Sequence, residues 1–112
     1  MTFRQLQAIA DISILANDAG IKSTQQLTLF LECAAFEGQC LSDIVGLAAD
    51  NPEYKNKYAM ARQLMLGAAN RNYNGAKLLK WGKALYGKER AIVLSVKGKK
   101  LLKELERKLI LT

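Results

Sequence analysis

A chain of 112 residues, half of them hydrophobic, is the size of one domain with a core of modest size, and it is too apolar for a disordered polymer. Its net charge of +7 comes with no histidine and two cysteines, so a zinc site of the usual Cys/His kind cannot be assembled without carboxylates. No apolar stretch reaches the roughly 18 residues that a membrane span needs.

Arg4, Gln5, Gln7, Asp11 and Asp18 interrupt the first stretch, which therefore does not read as a secretory leader; the expectation is a soluble, cytoplasmic protein with no membrane partner. The charge is unevenly spread. Residues 1–53 hold two basic and seven acidic residues, a net −5. Residues 54–76 hold four basic residues and no acid, and residues 77–112 hold eleven basic and three acidic ones, a net +8. An acidic half followed by a basic half points to a polyanion as partner of the second half.

Thr2-Phe3-Arg4-Gln5 has the form of a capping box. Phe3, Leu6, Ile9/Ala10, Ile12, Leu15/Ala16 and Ala19 then predict a helix with one apolar stripe, closed by Gly20. Ser23-Thr24-Gln25-Gln26 offers a second capping box, and Leu27, Phe30/Leu31 and Ala34/Ala35 continue it as a helix to Gly38. Cys33 and Cys40 are expected as buried thiols rather than as a redox pair or a disulfide. A short third helix is predicted from Leu41 to about Ala49, capped by Ser42 or a neighbour, with Ile44, Val45, Leu47 and Ala48 facing the core. Gly46 within it costs about 1 kcal/mol of helix propensity, so a close approach of another helix is expected there.

Asp50-Asn51-Pro52-Glu53 is the clearest helix start in the chain. Asn51 suits the N-cap, Pro52 the first helical position, and Glu53 the positive end of the helix dipole. This helix is predicted from Pro52 to about Ala69 or Asn70. Tyr54, Tyr58, Ala61, Leu64/Met65 and Ala68 face inward, and Lys55, Asn56, Ala59, Arg62 and Gln63 face outward. A loop with a turn at Asn74-Gly75 follows. Two strands, Ala76 to about Gly82 and Ala91 to Val96, then flank a long basic tip, Lys83 to Arg90. Gly98 ends the second strand, and a last helix runs from about Lys99 to Ile110 on Leu101/Leu102, Leu105 and Leu109.

The resulting fold class is mainly α with a small β-hairpin wing, in the order α-α-α-α-β-β-α. It is one winged helix-turn-helix domain over 1–112, with the helix-turn-helix at 41–70, the wing at 76–97 and terminal helices at 1–20 and 99–112. In a helix-turn-helix the second helix enters the major groove of double-stranded DNA. Lys55 and Arg62 suit phosphates or guanine, and Asn56 and Gln63 have the amide geometry for adenine; Ala59 shares their face. Lys83, Lys88 and Arg90 suit the backbone or the adjacent minor groove. A solvated polar surface would account for each basic element alone. Their order in one small chain favours a DNA-binding transcriptional regulator.

The segment "KERAIVLSVKGKKLLKELE" resembles the wing and following helix of MarR-type winged-helix regulators. Arg90 stands at the family's wing arginine, Leu94-Ser95 at its Leu-Thr pair and Gly98 at its glycine, with Leu101, Leu102 and Leu105 following. Lys88 stands where the family usually has an acid that orients the arginine. The resemblance implies that Arg90 contacts DNA, that the terminal helices form a homodimer, and that a small-molecule effector, which nothing in the residues identifies, regulates binding. Phe3, Leu6, Leu105 and Leu109 are the candidate dimerisation residues, with Leu111 beyond them. A two-fold arrangement would set two recognition helices about one DNA turn apart.

An enzyme is not expected. There is no histidine, no glycine-rich phosphate loop and no nucleophile in a recognisable setting, and Asp11, Asp43 and Asp50 match no metal-site spacing. No cofactor is expected. Tyr54, Tyr58, Tyr73 and Trp81 are expected to pack rather than to line a pocket. Two other readings remain open at this point: an adaptor that binds an acidic protein, and a nucleic-acid-binding accessory protein without sequence preference.

Overall fold

The computed structural model describes residues 2–65, 76–86 and 89–110, with the side chains of Tyr86, Leu109 and Ile110 left out. The elements are α1 (Phe3–Asp18), α2 (Thr24–Ala35), α3 (Leu41–Val45), α4 (Pro52–Leu64), β1 (Leu79–Tyr86), β2 (Glu89–Leu94) and α5 (Val96–Ile110). This is the expected order, mainly helical with one antiparallel hairpin, and its layout is that of a winged helix. The expected loop Asn70–Gly75 and the inward-facing Ala68 lie outside the described residues.

Local chemistry starts the helices where it was expected to. Thr2 Oγ1 accepts the Gln5 N–H at 3.2 Å, while the Thr2 N–H donates to Gln5 Oε1 at 2.8 Å, a complete capping box. Ser23 Oγ likewise accepts the Gln26 N–H, but the side-chain oxygen of Gln26, Oε1, reaches past the cap to accept the Lys22 N–H at 2.7 Å. Asn51 Oδ1 accepts the Glu53 N–H at 2.9 Å, and Pro52 occupies the first turn of α4. The third helix departs from expectation. Its N-cap is Cys40, whose side chain caps no backbone N–H of the helix, and it stops at Gly46 after five residues. Gly46 has φ +70°, and a Cβ there would meet nothing within 4 Å. It is a left-handed helix stop, not a packing contact.

The inward face of α1 is also displaced. Ala8 and Ala16 are buried, and Ile12, Leu15 and Ala19 pack against the core, but Phe3 and Leu6 are 80% and 54% exposed. On α2 the core is reached by Leu29, Phe30 and Cys33, while Leu31 and Ala35, expected inward, point to solvent. These side chains join Leu41, Ile44, Ala61, Leu64, Leu78, Leu79, Ile92, Leu94, Leu101 and Leu105 in one core.

Strand pairing extends further towards the tip than expected. Leu79 pairs with Leu94, Trp81 with Ile92, Ala84 with Arg90 and Tyr86 with Glu89, with irregularities between Trp81 and Tyr86. Only Gly87 and Lys88 separate the strands, so the long tip from Lys83 to Arg90 is replaced by paired residues. Ala76 to Leu78, expected as strand, instead crosses the end of α4. The N–H groups of Ala76, Lys77 and Leu78 donate to the carbonyls of Gln63, Met65 and Leu64 at 2.8, 3.2 and 2.8 Å. They satisfy carbonyls that the end of the helix would leave open, and α4 stops at Leu64 rather than near Asn70. The outer edge of β2 is covered as well. The Gly38 N–H donates to the Ile92 carbonyl, the Ile92 N–H to the Gln39 carbonyl, and the Leu94 N–H to Glu37 Oε2 at 2.7 Å. An edge filled in this way offers no template for another strand.

The last helix begins three residues before the expected Lys99 because Ser95 caps it. Ser95 Oγ accepts the Gly98 N–H at 3.0 Å and donates to the Lys77 carbonyl at 2.6 Å. Gly98 is therefore inside the first turn of α5, not at the end of a strand. A Cβ on it would lie 2.1 Å from the Leu78 carbonyl oxygen, which already accepts the Ser95 N–H. The glycine lets the helix lie directly on the segment that enters the wing. Lys97 Nζ ties the same junction to α1, donating to the Ala19 and Ala76 carbonyls at 3.2 and 2.9 Å.

Both cysteines are buried thiols, as expected; Cys40 Sγ lies 3.3 Å from Ser42 Oγ. Burial, with Glu32 beside it, pushes the Cys33 thiol from its ordinary 9.0 up to about 12. The folded state holds this proton more tightly than the unfolded state does. Its contribution to stability is therefore full below about pH 9 and is lost as the pH rises towards 12. Urea unfolding should show a midpoint that falls over this range, and Cys33→Ala should flatten that fall. Equal slopes for the two proteins would contradict the burial of Cys33.

Candidate nucleic-acid interface

The outward face of α4 carries Lys55, Asn56, Ala59, Arg62 and Gln63, all exposed as expected. At 100° per residue Ala59 lies near the middle of this face, with Lys55 and Arg62 on one side of it and Asn56 and Gln63 on the other. No acid shares the face; Glu53 sits in the first turn, at the positive end of the dipole. Ala59 is the smallest side chain on this face and lies lengthwise between Lys55 and Arg62.

Gln63 is not equivalent to its neighbours. Its Oε1 accepts a hydrogen bond from Gln26 Nε2. The Gln26 side-chain oxygen is committed to the Lys22 N–H, so its amide nitrogen must face Gln63, and Gln63 must answer with oxygen. Adenine readout by a glutamine needs that oxygen as well as the amide nitrogen. Gln63 Oε1 thus already accepts one hydrogen bond, which joins α2 to the end of α4 and sets which way the exposed Gln63 amide is turned. Among the described residues Asn56 has no such partner, and both ends of its amide are available.

The hairpin presents exposed Lys80, Lys83 and Arg90, while Lys88 lies outside the described residues. Lys80 is a further exposed cation that was not among the expected site residues; its signal in the sequence is the strand's alternation, with Leu79 buried and Lys80 exposed. Arg90 reaches across the hairpin, its Nε and Nη2 donating to the Gly82 carbonyl at 3.1 and 2.9 Å. A backbone carbonyl therefore orients this arginine, and it leaves guanidinium N–H groups over for other acceptors.

Between α4 and the wing lies a cleft of about 430 Å³, lined by Ala49, Tyr54, Tyr58, Trp81, Glu89 and Arg90. Tyr54 and Tyr58 stack at 6.2 Å between ring centroids, and Tyr58 meets Trp81 at 6.0 Å. Three of the four aromatics expected simply to pack thus wall a cavity; Tyr73 lies outside the described residues. Burial, then the neighbouring Glu89, raises the Tyr54 phenol above its ordinary value.

Of the candidate dimerisation residues, Phe3 and Leu6 are exposed, joined by Ile9 and Ile14 on α1. Leu105 is 3% exposed and belongs to the chain's own core, so it is not an interface residue. The side chain of Leu109, and all of Leu111, lie outside what is described. Among the described residues no three His, Cys, Asp or Glu side chains gather as a metal site, and no helix is long and apolar enough to cross a membrane. Comparison of the chain with protein-family models, with curated proteins and with solved structures found no match.

Proposed function

We propose that this protein is a sequence-specific double-stranded DNA-binding regulator of transcription, without enzymatic activity. Helix α4 enters the major groove, and the β1–β2 hairpin lies on the flanking backbone or minor groove. The observation that carries this reading is the acid-free face of Lys55, Asn56, Ala59 and Arg62 on a helix that follows α3 and precedes a hairpin bearing Lys80, Lys83 and Arg90. Cations at both ends of the face suit phosphates or guanine, and the amide of Asn56 suits adenine. The wing segment's resemblance to MarR-type regulators supports the same reading.

The protein acts as a homodimer in this proposal, through Phe3, Leu6, Ile9 and Ile14 of α1. Exposed side chains of this size along one helix match the apolar centre of a two-fold interface. The test is selection from a random-sequence duplex pool, with anisotropy at several salt concentrations. Enrichment of a sequence with two-fold symmetry is expected. Binding with a steep salt dependence but no enrichment would replace specificity by plain backbone attraction. No binding even at low salt would remove DNA and leave an acidic protein as the partner of the basic face.

A further inference from the structure

We propose that the cleft between α4 and the wing is a nucleobase pocket, which takes one unpaired base from a single strand or a free nucleotide. The inference deepens the DNA-binding reading and rests on it for the delivery of a strand to the cleft.

The wall formed by Tyr54, Tyr58 and Trp81 is a staircase of rings, with neighbours inclined at 30° and 31° and centroids about 6 Å apart. Tyr58 is 38% exposed, so its ring is open to a ligand rather than sealed in the core. Aromatic side chains of this kind hold unpaired bases by stacking, whatever the base. A base within a duplex is stacked on both faces and cannot reach a ring inside a cleft.

The polar lining argues for a base rather than a phosphate. Glu89 and Arg90 adjoin in the chain and both line the cavity. The carboxylate accepts hydrogen bonds and repels a phosphate, while the guanidinium, held by its two bonds to Gly82, donates through its remaining N–H groups. Base edges carry donors and acceptors side by side, and this pair matches both. The phosphates of the strand would be met outside the cleft, by Lys55 next to Tyr54 and Lys83 two residues beyond Trp81, both exposed. A volume of about 430 Å³ lies within the roughly 300–1,000 Å³ of small-ligand sites.

Trp81 is the only tryptophan in the chain and lies in the cleft wall, so its fluorescence reports on this site alone. The full-length protein is titrated with a short single-stranded oligonucleotide, with the same strand carrying abasic spacers, and with nucleoside monophosphates. Blunt duplex binding is followed separately by anisotropy. Saturable quenching by the normal strand, at least about fivefold weaker for the abasic strand, is expected, because one base–aromatic stack contributes about that factor. Tyr58→Ala should weaken the quenching by a similar factor while duplex affinity stays within about twofold. Glu89→Gln, which keeps the shape and removes the charge, should change the ranking of the four monophosphates. If monophosphates quench as strongly as the strand, the source is the free nucleotide. Equal quenching by normal and abasic strands, or no quenching, overturns the pocket. Quenching without duplex binding would keep the pocket and remove the regulator reading; duplex binding without quenching would do the reverse.

Discussion

Replacing Gly98 with alanine should lower the stability of this protein by about 3 kcal/mol or more, the upper range for overpacking. The sign makes the test sharp. Glycine in a helix ordinarily costs about 1 kcal/mol relative to alanine, so at an open helical position the same substitution would stabilise. Here Gly98 lies in the first turn of α5, outside the left-handed backbone region, and the added Cβ would sit 2.1 Å from the Leu78 carbonyl oxygen. That oxygen cannot step aside freely, because it accepts the Ser95 N–H at 3.0 Å, and Ser95 in turn caps the helix. Relief of the clash must move the helix or the entry to β1, and either motion opens the core around Leu78, Leu79 and Leu101, all buried. Urea unfolding followed by circular dichroism measures the loss. In a thermal scan it corresponds to a fall of about 10 °C or more for a domain of this size. A neutral or stabilising Gly98→Ala would contradict the seating of α5 on Leu78.

Reversing two charges on α4, in the double variant Lys55→Glu/Arg62→Glu, should weaken duplex binding by about 100-fold or more near 0.1 M salt. Each phosphate contact contributes about 0.9 to the slope of log affinity against log salt, so the slope should fall by about 2 if both residues meet phosphates. Both side chains are exposed, and surface changes of this kind stay within about 0.5 kcal/mol per site, so folding should be retained. Gln63→Ala provides the contrast. It removes no charge, so it should change DNA affinity far less than the double reversal, but it should lower stability by leaving the part-buried Gln26 amide without that partner. Anisotropy and urea unfolding on the same samples separate the two effects. A double variant that binds like the parent would refute α4 as the reading helix.

The features legible in the chain are those whose chemistry is local. The caps at Thr2, Ser23 and Asn51 act on N–H groups two or three residues away, and Pro52 needs only its own φ, so all could be read in the chain. The element order, the hairpin and the outward face of α4 followed from periodicity and turn residues. Where distant segments meet is set by packing that no local pattern records. Gly98 reads as a strand end in sequence because its reason is a carbonyl twenty residues earlier. The end of α4 depends on Ala76 to Leu78 crossing it, and the orientation of the Gln63 amide depends on a glutamine in another helix. Phe3 and Leu105 both sit on apolar helical stripes, yet only Leu105 enters the core while Phe3 stays exposed. The cleft exists because β1 folds back to set Trp81 beside Tyr58, a contact that joins two elements with no shared sequence pattern. Capping and periodicity are short-range interactions written into neighbouring residues, whereas a clash, a borrowed hydrogen bond or a cavity exists only once the chain has closed on itself.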